Sequence, residues 1–215
     1  MFYRLTNWFI KYDFFIGIGI LMLFCWFLRV SIFKRYLGDI MKKKTELLLP
    51  FILMFSVILL DQITKLIVLK TGSEGEILFS MFGDFFRIVL VYNTGAAFSL
   101  GTNFSPVLHF ISLKLLPLLL IVGFIVLYFR INFTKVERYL FCAILGGGFG
   151  NLIDRFFRSR GVVDFIDVKF YGIFGFERWP TFNIADSVVV VSLTTLILYH
   201  IFRKKDRASN EKNKS

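Results

Sequence analysis

Apolar and polar positions along this 215-residue chain are segregated into long blocks. Phe14–Leu28 is an uncharged apolar run, shorter than the ~20 residues a spanning helix needs. Leu47–Leu69 is apolar but carries DQITK at 61–65. Further apolar blocks lie within Pro106–Phe129 and Tyr139–Ile153, and the last runs from Phe182 to Phe202. These blocks predict an all-α polytopic membrane protein with a four-helix transmembrane core and an accessory N-terminal helix over 14–28. The mixed segment 70–105 is punctuated by Gly72, Gly75 and Gly83. Within it, FFRIVLVYN at 85–93 is rich in strand-forming residues, which predicts a small extramembrane β-element. Residues 156–181, with aromatics, Gly172 and Gly175, form a second extramembrane segment. The chain thus divides into an N-terminal extension (1–40), a membrane domain (41–205) and a polar cytoplasmic tail (206–215). Met41 directly precedes three lysines, and MKKKTELLLPFILMF has the form of a natural start for a membrane protein.

Composition supports the membrane assignment. The chain is 56% hydrophobic and 19% aromatic, with a mean hydropathy of +0.69, against ~45–50% apolar in soluble domains. The net charge of +11 would suit a nucleic-acid partner, but the basic residues cluster beside the apolar blocks. That is the positive-inside pattern. Segments 29–44, 130–138 and 203–215 hold 15 lysines and arginines, and the alternate segments 70–105 and 156–181 hold 6. The first set is therefore expected in the cytoplasm. Five polar motifs, DQITK, NTGAAF, GGGFGNLIDR, GVVDF and FNIADS, then converge on the outer face.

Each motif has a structural reading and a chemical one. Asp61 and Lys65 are spaced i, i+4, so they can pair on a helix. Gly146 and Gly150 form a small-residue face for close helix packing. Asn151 and Asp154 share a face, with Arg155 adjacent, and Asn183 and Asp186 repeat that spacing. Asp164 in GVVDF and Asp186 in FNIADS each lie beside an apolar stretch. Carboxylates in or near a bilayer are expensive and functional by default. Two that meet cannot both ionise cheaply; they share a proton and can activate water.

The five motifs, in this order and on four spans, resemble those of the lipoprotein signal peptidase (signal peptidase II) family over residues 42–205. The resemblance implies an aspartic endopeptidase that cuts signal peptides from diacylglyceryl-modified prolipoproteins, just before the lipidated cysteine. It implies no metal or organic cofactor. It assigns Asp164 and Asp186 as the catalytic dyad. The positions matching Asp61, Asn93, Asn151, Asp154, Arg155 and Asn183 shape the site and hold substrate, and Lys65, Gly95 and Ala185 support it within the same motifs. Residues 1–40 are not explained by it. It also implies prolipoprotein substrates as partners; the chain is expected to be a monomer in contact with membrane lipids in the bacterial cytoplasmic (inner) membrane, with the charge division placing its active site near the outer face.

The alternative is a proton-coupled transporter using Asp164 and Asp186 as a relay, which would favour carboxylates near the midplane and repeated halves. No repeat is evident. A presenilin-like or rhomboid protease is disfavoured because GxGD and GxSG are absent. Cys25 and Cys142 lie in apolar runs as small buried hydrophobes and form neither a disulfide framework nor a metal-ligand cluster. His109 and His200 are expected to be packed or interfacial. Lys114 is expected to snorkel to the outer interface, and Asp167 to be an exposed interfacial carboxylate.

Overall fold

The computed structural model describes residues 40–95 and 105–212, with residues 29, 34, 36 and 38 before them. The helix expected over 14–28 lies outside the described residues, as do Ala96–Phe98 of NTGAAF. The chain divides into two compact units, 1–48 and 49–215, and the helices and sheet below belong to the second.

Among the described residues, four helices are long and apolar enough to cross a membrane. Helix α1 (Pro50–Thr71) opens with a proline in its first turn, where the missing N–H breaks no helical bond. Helix α2 (Pro106–Arg130) is capped by the Ser105 hydroxyl, which accepts from the Leu108 N–H. Its ladder widens to a π turn at Ile111–Leu115, just before Pro117, a residue with no N–H to give back to the preceding turn. Helix α3 (Lys135–Phe157) starts at a reciprocal capping box between Thr134 and Glu137. Helix α4 covers Ile184–Lys212. It continues past the apolar block that ends at Phe202, because the following RKKDRASNEK lacks proline and glycine and holds good helix formers.

Helix α3 packs against α1, α2 and α4. Its glycines permit close approach. A Cβ on Gly146 would come within 2.8 Å of the Met54 carbonyl oxygen, and one on Gly150 within 2.7 Å of Asp61 Oδ2. Large apolar side chains on the outer faces, such as Phe55 and Leu59 of α1, Leu119 and Val126 of α2 and Val190 and Ile197 of α4, are exposed. In a spanning bundle this is the lipid-facing surface.

A three-stranded antiparallel sheet comprises β1 (Ile77–Met81), β2 (Phe86–Asn93) and β3 (Val162–Val168), in that order. The first two strands fall in the expected β-element. The third comes from 156–181, where the sequence reading placed no strand. Its Val162, Val163, Phe165, Ile166 and Val168 have the branched and aromatic side chains that pack well on a pleated surface. Val163 and Phe165 bury with Val68 of α1 and Leu90 of β2 in one apolar cluster, so the sheet rests on the end of α1. After β3 the chain turns back. Ile166 N–H donates to Phe182 O (2.8 Å) and Phe182 N–H to Ile166 O (3.0 Å). This pairing ties the start of α4 to β3.

Candidate active site

Strand alternation decides where Asp164 points. Its neighbours Val163 and Phe165 face the apolar cluster, so Asp164 projects from the opposite face. Asp186 is the third residue of α4, and Asn183 is the residue just before that helix. The two form a capping box: Asp186 N–H donates to Asn183 Oδ1 (3.0 Å), and Asn183 N–H donates to Asp186 Oδ2 (3.2 Å). The i, i+3 spacing therefore encodes a helix start rather than two residues on one helical face. Because Phe182 is paired to β3, Asp164 and Asp186 line the same cleft. That cleft has a volume of about 930 Å³ and lies among α2, α3 and α4, with Pro117, Ile121, Phe124, Leu145 and Val189 among its apolar lining.

Both carboxylates are held by amides. Asn183 Nδ2 donates to Asp164 Oδ1 (2.7 Å) and Asn93 Nδ2 to Asp164 Oδ2 (3.1 Å). Asn151 Nδ2 donates to Asp186 Oδ1 (2.7 Å). Burial, and then the negative charge of Asp186, push the Asp164 carboxyl up to about 7, against the opposing pull of the Asn93 and Asn183 amides.

Below the pair lies a charge cluster with no solvent exposure. Lys65 Nζ sits 2.8 Å from Asp61 Oδ2, 2.9 Å from Asp154 Oδ2 and 3.1 Å from Asn151 Oδ1. Asp61 Oδ1 also accepts the Ala185 N–H (3.0 Å), and Asp154 Oδ2 accepts the Val163 N–H (3.1 Å). The cluster thus clasps α1, α3, α4 and β3 at the residues flanking both aspartates. The sequence spacing predicts the Asp61–Lys65 pair but not Asp154 as the second acceptor. It also misses Gln62 and Arg158. Gln62 Nε2 donates to Asp61 Oδ2, the Gly150 carbonyl and Asp154 Oδ1, and Arg158 Nε reaches Asp154 Oδ1 at 3.1 Å. The signal for Gln62 was its place between Asp61 and Lys65.

The remaining candidates fall around this core. Gly95 N–H donates to Asn93 Oδ1 (3.0 Å), which orients the amide that holds Asp164. Ala185 is fully buried. Arg155 lines the cleft, and its Nε is buried without a hydrogen-bond partner. Asp167 departs from expectation: it is 7% exposed rather than an exposed carboxylate. Both its oxygens lie 2.7 Å from Arg178 Nε, because the return segment carries that arginine alongside β3. On the same surface, the Lys169 ammonium holds the Asp84 carboxyl below its ordinary range. His109 Nε2 lies 2.7 Å from the Thr94 carbonyl oxygen, and His200 lies 3.2 Å from Glu137. Cys142 is buried.

Four apolar helices bearing a buried Asp164, a half-buried Asp186 and a charge-balanced clasp at one end define a polytopic membrane protein with a polar site opening on an apolar cleft. Comparison with known proteins gives the family. The chain belongs to the Signal peptidase (SPase) II family, whose sequence model matches residues 53–202. It is 51% identical over 170 residues to the lipoprotein signal peptidase of Treponema denticola, covering 77% of this chain and 98% of that relative. It is 44% identical over 161 residues to that of Borrelia turicatae, covering 75% and 94%. Among solved structures, a bacterial membrane enzyme determined by the in meso method at 2.3 Å resolution is similar, with a TM-score of 0.62 and 25% identity over 73% of this chain and 90% of that one.

Proposed function

We propose that this chain is an aspartic endopeptidase with Asp164 and Asp186 as its dyad, removing signal peptides from diacylglyceryl-modified prolipoproteins just before the lipidated cysteine. Family membership and the lipoprotein signal peptidases among its relatives support the substrate class. One observation carries the mechanism: two aspartates from different elements line one largely apolar cleft, and amides, not cations, hold them. Such a pair retains one proton. The ionised partner takes a proton from the attacking water, and the protonated partner donates to the scissile carbonyl as the tetrahedral intermediate forms. A proton then passes to the leaving amine. The titration belongs to the pair, so neither aspartate is the permanent base. Arg155 and the asparagines position the substrate's polar backbone. The apolar walls receive a substrate that is already anchored in lipid. A relay across the bilayer would string carboxylates along the spans, whereas this pair sits where β3 and the start of α4 meet.

The assay is release of the signal peptide from a diacylglyceryl-modified precursor by purified protein. Asp164→Asn and Asp186→Asn should each lower cleavage by ~10²–10⁴-fold or more while leaving the protein folded. Near-normal cleavage by either variant defeats the mechanism. The protein is further read as a monomer in the bacterial inner membrane, and the 15-to-6 division of basic residues supports a site near the outer face. Cysteines placed at 172 and 210 test this in intact cells. Labelling from outside is expected at 172 only, and the reverse result overturns the orientation.

A further inference from the structure

Beside the cleft lies a second, smaller cavity of about 150 Å³, lined by His109, Lys114, Arg155, Arg158, Ser159 and Gly161 among others, and no Asp or Glu lines it among the described residues. Three of these residues are cations, and two present unused donors. Arg155 Nε and Arg158 Nη1 are buried and have no hydrogen-bond partner among the described residues. Arg158 is already fixed in place by Asp154, through Nε, and by Gln62, through Nη2. Its third nitrogen is therefore preorganised without being consumed. Lys114 sits in the π turn of α2, its ammonium 5.7 Å from the Phe156 ring centroid, and among the described residues no carboxylate pairs with it. A buried donor left unsatisfied is costly, and more so when charged, so this arrangement is that of a site for an acceptor carrying negative charge.

We propose that this pocket binds the phosphodiester of an anionic membrane lipid. The negative oxygens would accept from the side chains of Arg158, Arg155 and Lys114, cationic donors of the kind that bind phosphate. The neighbourhood favours a lipid over an acidic peptide. On the same stretch of α2, Leu108, Phe110, Ile111 and Leu115 are exposed apolar residues, so acyl chains have a surface to lie on while the headgroup enters the pocket. Arg155 and Asn93 line both cavities. A phosphate held there would take Arg155 Nε, leave the terminal nitrogens of that guanidinium for the substrate, and steady the wall of the cleft.

The test needs no catalysis, so it stands apart from the dyad assignment. Purified full-length protein in neutral detergent is titrated with dimyristoyl phosphatidylglycerol, and binding is followed by native mass spectrometry. Wild-type protein should retain the lipid. Lys114→Gln should weaken it by about fivefold, the scale of one basic residue near a membrane surface, and Lys114→Arg should restore it. Dimyristoylglycerol, which has the same chains and no phosphate, should bind without dependence on residue 114. Equal phosphatidylglycerol binding by wild type and Lys114→Gln overturns the proposal. Displacement of the lipid by comparable concentrations of inorganic phosphate would make this a free-phosphate site, and displacement by an Asp- and Glu-containing hexapeptide a site for substrate carboxylates. Either result also overturns it. If Lys114→Gln does not fold, the phosphatidylglycerol-to-dimyristoylglycerol preference of wild-type protein decides: no preference overturns the proposal.

Discussion

Replacing Lys65 by methionine keeps the side chain's length and apolar stem but removes its charge. Lys65 Nζ makes three polar contacts, to Asp61, Asp154 and Asn151, all within 3.1 Å and with no solvent exposure at Lys65, Asp61 or Asp154. Without it, Asp61 keeps only the Ala185 N–H and the Gln62 amide, and Asp154 keeps Arg158, Gln62 and the Val163 N–H. One carboxylate therefore loses its cation entirely. Breaking a buried pair in this way costs ~3–5 kcal/mol, because the stranded charge remains. That is a large share of a typical domain's stability of ~5–15 kcal/mol. At ~2–4 °C per kcal/mol for a chain of this size, the midpoint of thermal unfolding in detergent should fall by roughly 6–20 °C. Adding Asp61→Asn to Lys65→Met removes the stranded charge and should recover part of the loss, with a coupling of ~1–3 kcal/mol. Heating followed by size-exclusion chromatography reads both effects. A Lys65→Met protein that melts within 1 °C of wild type, or a double variant as unstable as the sum of the singles, refutes the account of this cluster as the clasp of the site.

The Asp164 carboxyl, raised by burial and by Asp186 to about 7, gives a pH signature with a definite sign. Since the folded protein binds this proton more tightly than the unfolded chain, the stability it contributes is present at low pH and is lost as pH rises through about 7. Loss of the shared proton should also make kcat/KM fall tenfold per pH unit on the alkaline side, and a flat profile from pH 6 to 9 contradicts the shared-proton reading. Asp167→Asn should keep cleavage within about threefold, because Asp167 contacts Arg178 and not the cleft. It should nevertheless destabilise the sheet by ~1–3 kcal/mol, the scale of a charged hydrogen bond, as measured by the unfolding midpoint; a loss of activity as deep as that of Asp164→Asn would reassign the dyad.

The helices were legible because each contains a long, predominantly apolar block, and a block of that length has few alternatives in lipid. Strand β3 was harder to see. It is buried on both faces, so it lacks the clean apolar–polar alternation of a half-exposed strand, and Asp164 and Asp167 interrupt its apolar run. The meeting of Asp164 with Asp186 was legible through the motifs but not through spacing, since it depends on the backbone pairing of Ile166 with Phe182. Spacing likewise yields only local partners. It found Lys65 with Asp61 one turn away, but the approach of Asp154 requires α3 to pack at Gly150 against α1. The burial of Asp167 follows from the same return segment, which delivers Arg178 to it.

On the proposed shared-proton reading, the arrangement also accounts for how a buried lysine can lie close to Asp164 and Asp186 without stripping their proton. A lysine ammonium has three donors. Here Asp61, Asp154 and Asn151 take all three, and two carboxylates offset the charge. Asn151 stands between the two systems: its Oδ1 accepts from Lys65 while its Nδ2 donates to Asp186. Orientation passes through that amide, but the positive charge stays with the clasp. Had the ammonium bonded Asp186 directly, the ionised form would be strongly favoured and the pair's acid function weakened. Holding the aspartates by Asn93, Asn151 and Asn183 fixes their geometry with neutral donors, so burial and mutual repulsion, rather than a fixed cation, set the proton affinity at Asp164.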